Sequence, residues 1–495
     1  MTDPLRLAVT LPARSLHEAK GEVQVARAAG ADFAEIRFDR WPPREWPDAV
    51  GLFPTPLPLI ATLRSGTEGG EGPDDPVERA RWFSIVGELP FAFLDVELAR
   101  DLADVPHHSS TTVLSSCHLS PGASIAEIGH LAERADRVGS WRKLVVPASV
   151  GTFLRDILPN LPRWLDPRTI VLTTGPSGSL ARIWARELGE PMVFAALPLA
   201  APSAAPVEPT QVPVDQLARM RSGGRGRRFA VVGAPVGHSL SPAVHGLWLA
   251  RQQRAASYVA LPLDGEAEVR AMLSLGRRGW WDGWSVTHPW KTRLAQEADV
   301  RSEAVARTGA ASALVFRDGQ ARAEQTDAEA VRRRARELEE AGRWDGREAL
   351  VVGTGGAARA AVFALEPSRR QVWVVGRRTE ATESLVRALG GTVPPRATEH
   401  PVGLVLQATT VGRANSGPLV PPLGEWIDRE TTVVDFVYGG TDPSIARLAR
   451  ERGSTYEDGR RLLVYQAAAA HALWWGEPPA EELLEAALSR VNCAA

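Results

Sequence analysis

Eight short apolar runs recur through the first two hundred residues, most of them separated by a stretch with helical periodicity. They are LRLAVTLP (5–12), DFAEIRFD (32–39), LPLIATLR (57–64), FAFLDVEL (91–98), TTVLSSCH (111–118), KLVVPAS (143–149), TIVLTTG (169–175) and MVFAALP (192–198). Helix-like segments such as HEAKGEVQVARAAG, PVERARWFSIVGEL, SIAEIGHLAERADRVG and SLARIWARELG lie between them. Parallel strands need long crossovers, and a helix is the usual one. Eight βα units predict a closed (β/α)8 barrel, with its active site at the C-terminal strand ends. Glu35, Arg37, Arg64, Asp95, Glu97 and His118 gather there. Charged side chains are seldom fully buried without partners, so their clustering points to a shared polar site.

The remainder needs further domains, because 495 residues are too many for one core at roughly 100–200 residues per domain. A Pro/Ala stretch, LAAPSAAPVEPTQVP, closes the barrel region, and RSGGRGR (221–227) reads as a flexible linker. A new strand, RRFAVVGAP, follows. Residues 326–342 form a charged helix, and EALVVGTGGAARAAVFAL then reads as strand, Gly-rich turn and small-residue helix. The formal net charge of −2 gives no global field for nucleic acid or an acidic membrane. No apolar stretch suggests a signal peptide, and no window approaches ~20 continuous apolar residues. Cys117 and Cys493 are the only cysteines, too few for a disulfide framework or a multi-cysteine metal site. These features predict a cytoplasmic protein without bound metal.

Arginine dominates the basic residues. Lysine occurs only at positions 20, 143 and 291. Arginine replaces lysine well on surfaces but does not give up its proton, so it cannot serve as an amine nucleophile or proton shuttle. Lys20 sits in a polar helical stretch and reads as a surface residue. Lys143 opens an apolar strand. A lysine pointing into a barrel is desolvated, which favours the free amine, and a free amine can attack a ketone. His118, ending the preceding strand, is a candidate general acid and base. Taken singly, His118 is equally compatible with a satisfied core histidine, and a strand lysine with a surface residue.

These residues resemble type I 3-dehydroquinate dehydratase over about 1–218. The carriers are EIRFD (35–39), TLRSGTEGG (62–70), SCHL (116–119), Lys143, SGSLAR (177–182) and PTQVPVDQL (209–217). The resemblance implies that Lys143 forms a Schiff base with the C3 ketone of 3-dehydroquinate. It implies that His118 moves the protons with Glu68 in support, and that Glu35, Arg37, Arg64, Arg182 and Gln211 bind substrate. The closing loop departs from the family pattern, with Val207 and Glu208 before Pro209 where a serine is usual.

In the second half, VVGAPVGHSLSPAVHG (231–246) is a strand leading to a Ser-rich turn, and GWSVTHPWK (283–291) ends in Lys291. Asp327 precedes a helix. A lysine ammonium facing a carboxylate can exchange a proton with a substrate oxygen, although a bare Lys–Asp pair is more often a surface salt bridge. Gly353, Gly355 and Gly356 lie between strand and helix, where glycines let the backbone approach a pyrophosphate. The next strand ends in Arg377, Arg378 and Thr379 without an acidic residue, which favours a 2′-phosphate and hence NADP over NAD.

Together these residues resemble shikimate dehydrogenase over about 228–490. The resemblance implies that Ser239, Ser241, Thr287, Ser312, Tyr438 and Gln466 bind substrate, and that Lys291 and Asp327 carry the proton. Gly353, Gly355, Gly356, Ala357, Arg377, Arg378, Thr379, Thr409 and Val437 would hold NADP(H). The family has asparagine where this chain has Ser285, Ser312 and Gln325, and glycine at Ala330; changes at Ser312 and Gln325 alter hydrogen bonds to substrate hydroxyls. The expected domains are a barrel over 1–220, the linker 221–227, a substrate domain over 228–330 with helices 466–495, and a Rossmann-type NADP domain over 331–465. The expected ligands are 3-dehydroquinate, 3-dehydroshikimate and shikimate, with no nucleic acid or membrane; homo-oligomerisation is left open. Two alternatives stand beside the bifunctional reading. One is an active dehydratase with an altered dehydrogenase; the other is a non-catalytic metabolite sensor, against which the four candidate catalytic residues argue.

Overall fold

The computed structural model describes residues 5–101, 105–135, 140–201, 206–222, 225–368, 370–394, 401–409, 423–439 and 444–493. The eight apolar runs form eight parallel strands: β1 (Arg6–Thr10), β2 (Phe33–Arg37), β3 (Leu59–Thr62), β4 (Phe93–Glu97), β5 (Thr112–His118), β6 (Trp141–Pro147), β7 (Thr169–Thr174) and β8 (Met192–Ala195). Their order is β7-β6-β5-β4-β3-β2-β1-β8, so β1 pairs with both β2 and β8. The ring is nearly closed rather than closed, with its seam between β7 and β8. Side chains satisfy the backbone there. Glu190 Oε2 accepts from the Val171 N–H of β7 (3.1 Å). The Arg182 guanidinium donates to Thr173 O of β7 (3.0 Å) and to Phe194 O of β8 (2.9 Å). An open seam would otherwise leave polar backbone groups stranded.

The helices follow the sequence periodicity. Helix Leu16–Ala28 buries Ala19, Val23 and Ala26, one stripe at helical spacing, and Ser15 caps it by accepting the Glu18 N–H. Asp75 caps helix Pro76–Val86 through the N–H groups of Val77 and Glu78, with Pro76 at the first helical position. Phe38, Trp46, Trp82 and Phe91 are fully buried, and the Phe38 ring packs against Trp82 and Phe91.

The second half holds two sheets. A six-stranded mixed sheet has the order β10-β9-β11-β13-β14-β12, built from β9 (Arg227–Gly233), β10 (Ala256–Pro262), β11 (Gly283–Val286), β12 (Val300–Arg301), β13 (Ala313–Arg317) and β14 (Gln320–Glu324). A five-stranded parallel sheet follows, order β16-β15-β17-β18-β19, from β15 (Ala349–Val352), β16 (Val372–Val375), β17 (Leu404–Gln407), β18 (Thr432–Asp435) and β19 (Thr455–Glu457). Alternate residues of β15 enter different cores, Ala349 and Val351 one and Leu350 and Val352 the other, as a sheet covered on both faces requires. Strand order reverses around β15, between β16 and β17, the switch point at which open α/β sheets bind ligands. Contacts group residues 1–228 with 249–271 in one compact unit and 229–248 with 272–495 in a second. Among the described residues, no helix is long and apolar enough to cross a membrane.

Candidate active sites

The two-residue period of a strand explains how the barrel site assembles. Glu35 and Arg37 on β2, Asp95 and Glu97 on β4, and Ser116 and His118 on β5 each fall on one face of their strand. Glu97 pairs in register with Ser116, and Ser116 with Lys143, so polar side chains from three strands lie at one level. Lys143 is 3% exposed. Its Nζ lies 2.5 Å from Asp95 Oδ2, 3.5 Å from Glu35 Oε1 and 4.7 Å from the Phe194 ring centroid. The lysine is therefore desolvated as expected, but it is held in an ion pair. Burial alone would raise the Asp95 carboxyl; Arg64 and Lys143 beside it hold it well below the usual carboxylate range.

Arg64 is the hub of this network. One nitrogen donates to Asp95 (2.9 Å); the other reaches Glu97 (2.9 Å), Glu68 (2.9 Å) and Ser116 Oγ (3.1 Å). Both Nη nitrogens are engaged inside the protein, which gives Arg64 an organising position. Arg37 is held by Asp39 through two bonds, at 2.8 and 2.7 Å. Glu35 accepts from Thr10 (2.7 Å) and Thr62 (2.9 Å), and Gln211 Nε2 donates to Thr10 Oγ1 (2.9 Å). Glu68 Oε2 meets His118 Nδ1 at 2.9 Å. Burial pushes the Glu68 carboxyl up to about 7. Burial, reinforced by Arg64 and Lys143, holds His118 well below its ordinary value, so the imidazole is neutral.

The second site is a cavity of about 750 Å³. Lys291 begins helix Lys291–Glu297 and pairs through Nζ with Asp327 Oδ2, in the first turn of helix Thr326–Glu340. Ser239, Ser241, Thr287, Tyr438 and Gln466 line the cavity with this pair. So do Gly353, Gly355, Gly356, Ala357, Arg377, Arg378, Thr409 and Val437. Gly353 has φ +121°, and a Cβ there would meet Thr409 Cγ2 at 3.0 Å and Ala408 O at 3.1 Å. Only glycine fits this turn comfortably. Helix Gly356–Leu365 starts immediately beyond it. Arg377 and Arg378 are exposed.

Two expected site residues are absent from the cavity lining. Thr379 begins helix Thr379–Leu389. Ser312 is buried, and its Oγ accepts from the backbone N–H groups of Thr326 (2.5 Å) and Asp327 (3.2 Å). Gln325 adds to this anchorage. Its Oε1 accepts the Asp327 N–H (3.2 Å), and its Nε2 donates to Ala310 O (2.9 Å). Both hold the start of the helix that carries Asp327. These hydrogen bonds bear on where the Asp327 carboxylate sits.

The family model described as type I 3-dehydroquinase matches residues 7–222, and that described as the shikimate dehydrogenase substrate binding domain matches residues 231–314. A shikimate dehydrogenase (NADP(+)) of Anaeromyxobacter sp. (strain K) is 37% identical over 277 residues, covering 54% of this chain and 96% of the relative. The chain belongs to the shikimate dehydrogenase family, joined to a type I 3-dehydroquinase domain. Among solved structures, a shikimate 5-dehydrogenase from Thermus thermophilus, in complex with NADP(H) and shikimate, is 32% identical; the match covers 53% of this chain and 99% of that one, with TM-score 0.48. The dehydroquinate dehydratase and shikimate dehydrogenase of S. pombe is 20% identical over 98% of this chain and 99% of that one, with TM-score 0.42.

In the dehydroquinase half, sequence reasoning left without a role Glu97, a partner of Arg64, and Asp95, the direct partner of Lys143. Its place beside Glu97 on a strand was visible, but the pairing depends on inter-strand register. In the dehydrogenase half, His238 and His288 line the cavity and were not singled out. Both stand inside quoted motifs, so motif membership was the available signal.

Proposed function

We propose that this chain catalyses two consecutive steps of the shikimate pathway: dehydration of 3-dehydroquinate through an imine on Lys143, and NADPH-dependent reduction of the resulting 3-dehydroshikimate to shikimate. The observation that carries this reading is the pair of preformed lysine constellations, one in each family's half. Each half supplies its own catalytic lysine.

In the first step the Lys143 amine attacks the C3 ketone, and loss of water gives the imine. Attack requires the amine to give up a proton, and neutral His118 is the base that the site provides. The imine acidifies the C2 protons. His118 removes one and returns it to the departing C1 hydroxyl, which leaves as water; a second water hydrolyses the imine and frees Lys143. Glu68 orients His118 through Nδ1, leaving Nε2 as the working nitrogen. Gln211 and Arg182 hold the substrate, with Glu35, Arg37 and Arg64 fixing the charges around the reacting carbon.

In the second step Lys291 donates the proton to the carbonyl oxygen, and Asp327 holds the ammonium in place. Ser239, Ser241, Thr287, Tyr438 and Gln466 bind the carboxylate and hydroxyls. NADPH fits the nucleotide side: the Gly353 turn leaves no side chain to hold a phosphate off, and the Arg377 and Arg378 guanidiniums suit a 2′-phosphate. Bound there, it supplies the hydride. Ser312 and Gln325 act as positioning residues for Asp327.

A coupled assay tests the proposal. 3-Dehydroquinate plus NADPH should give a transient enone absorbance and then oxidation of the nicotinamide, faster with NADPH than with NADH. Enone accumulation without NADPH consumption would replace it with an active dehydratase beside an altered dehydrogenase.

A further inference from the structure

Three arginines of the dehydroquinase half, Arg37 and Arg64 near strand ends and Arg182 on helix Gly178–Leu188, differ in how firmly they are occupied. Arg64 is held by three carboxylates at 2.9 Å. Arg37 is clamped by both oxygens of Asp39. Arg182 is 3% exposed and spans the seam, giving Nε to Phe194 O and Nη1 to Thr173 O and Gly178 O. Its remaining nitrogen, Nη2, faces Glu208 Oε2 at 3.3 Å. A single carboxylate at that distance, on a side chain 25% exposed, is the partner most easily exchanged.

We propose that Glu208 is a specificity-determining residue of the dehydration site: its carboxylate rests on Arg182 and must be displaced by the carboxylate of the incoming substrate. The proposal rests on the dehydration reading above. Burial disfavours the Arg182 charge, and Glu208 is the carboxylate that compensates it. The segment that carries Glu208 is seated firmly. Thr210 Oγ1 donates to Glu208, at 2.7 Å from either oxygen. Ser179 Oγ donates to Thr210 O (2.9 Å), and a Cβ at Gly178 would fall 1.9 Å from Thr210 Oγ1. One residue further, Gln211 reaches Thr10 and so Glu35, which lies 3.5 Å from Lys143 Nζ. The segment thus places its negative charge on Arg182 and its amide beside the lysine network. A ligand with a carboxylate can take over the guanidinium. A ligand without one cannot compensate Arg182 and is rejected, so part of the selectivity is negative.

The test is steady-state dehydration by the full chain carrying Glu208→Gln, with Glu208→Asp as the charge-retaining control. Glutamine keeps the shape and still accepts from Thr210 but does not compete as an anion. KM for 3-dehydroquinate should fall about threefold to tenfold in Glu208→Gln, with kcat within about twofold. Glu208→Asp should stay near the starting KM. A KM that is unchanged or raised in Glu208→Gln, or a fall of equal size in Glu208→Asp, overturns the proposal. The dehydrogenase rate and the thermal midpoint of each variant report that the chain is folded. Borohydride trapping separates the two possible failures. An adduct on Lys143 with no fall in KM removes Glu208 alone; no adduct in the unaltered chain removes the dehydration reading and this proposal with it.

Discussion

The two lysines of the two sites occupy opposite environments. Lys143 is sealed in a barrel among Asp95, Glu35 and the Arg64 network, with its side chain 4% exposed. Lys291 opens a short helix on the wall of a large cavity, with one carboxylate partner and 18% exposure. The difference matches the proposed chemistry. A nucleophile that becomes covalently bound has to exclude competing water and be held by fixed charges. A proton donor needs only one orienting partner and a route by which protons return from solvent. Both were visible as rare lysines; only their surroundings separate an imine former from a proton shuttle.

The largest expected effects test that division. Lys143→Met should lower dehydration on the order of 10³-fold or more and leave the reductase rate within about twofold. Lys291→Arg should do the reverse, lowering reduction by about 10²- to 10⁴-fold. If either variant impaired both rates, the two sites would not be independent. Next comes stability. Asp95→Asn leaves Lys143 and part of Arg64 buried without their carboxylate and should cost about 3 kcal/mol in chemical denaturation. Asp327→Asn breaks a more exposed pair and should cost under about 1 kcal/mol. Equal costs would erase the contrast in burial.

The sites should also differ in pH response. Burial raises the Glu68 carboxyl to about 7, so it is protonated below that pH and ionised above it. The ionised form makes His118 the stronger base. Dehydration kcat/KM should therefore rise by about tenfold per pH unit up to about 7 and then level off. Glu68→Gln should remove that inflection; its survival would assign the titration to another group. The smallest effect concerns Ser312. Ser312→Ala should cost about 1 kcal/mol through the lost hydrogen bonds to the Thr326 and Asp327 N–H groups, and it should lower reductase kcat rather than raise KM. A change confined to KM would restore Ser312 as a substrate contact.

Much of this was legible in the chain itself. The eight barrel strands coincide with the eight apolar runs because each run is short, bounded by polar residues and buried on both faces. The Gly353 turn was legible because positive φ at a strand end demands glycine. The seam was not, since it depends on how the Arg182 and Glu190 side chains turn back onto backbone groups of the two flanking strands, β7 and β8. The tie between Lys143 and Asp95 was hidden for a different reason: register, not spacing, brings residues 48 positions apart into contact. The backbone contacts of Ser312 were not legible, because β13 and β14 form a hairpin that folds residue 312 back onto residues 326 and 327. The Asp318–Gly319 turn, with φ of +53° and +76°, was the available signal.

The most direct measurement is borohydride reduction of the full chain with 3-dehydroquinate, followed by peptide mapping. The account predicts a reduced adduct on the peptide containing Lys143 and none on that containing Lys291. An unlabelled chain, or label on Lys291, would contradict it.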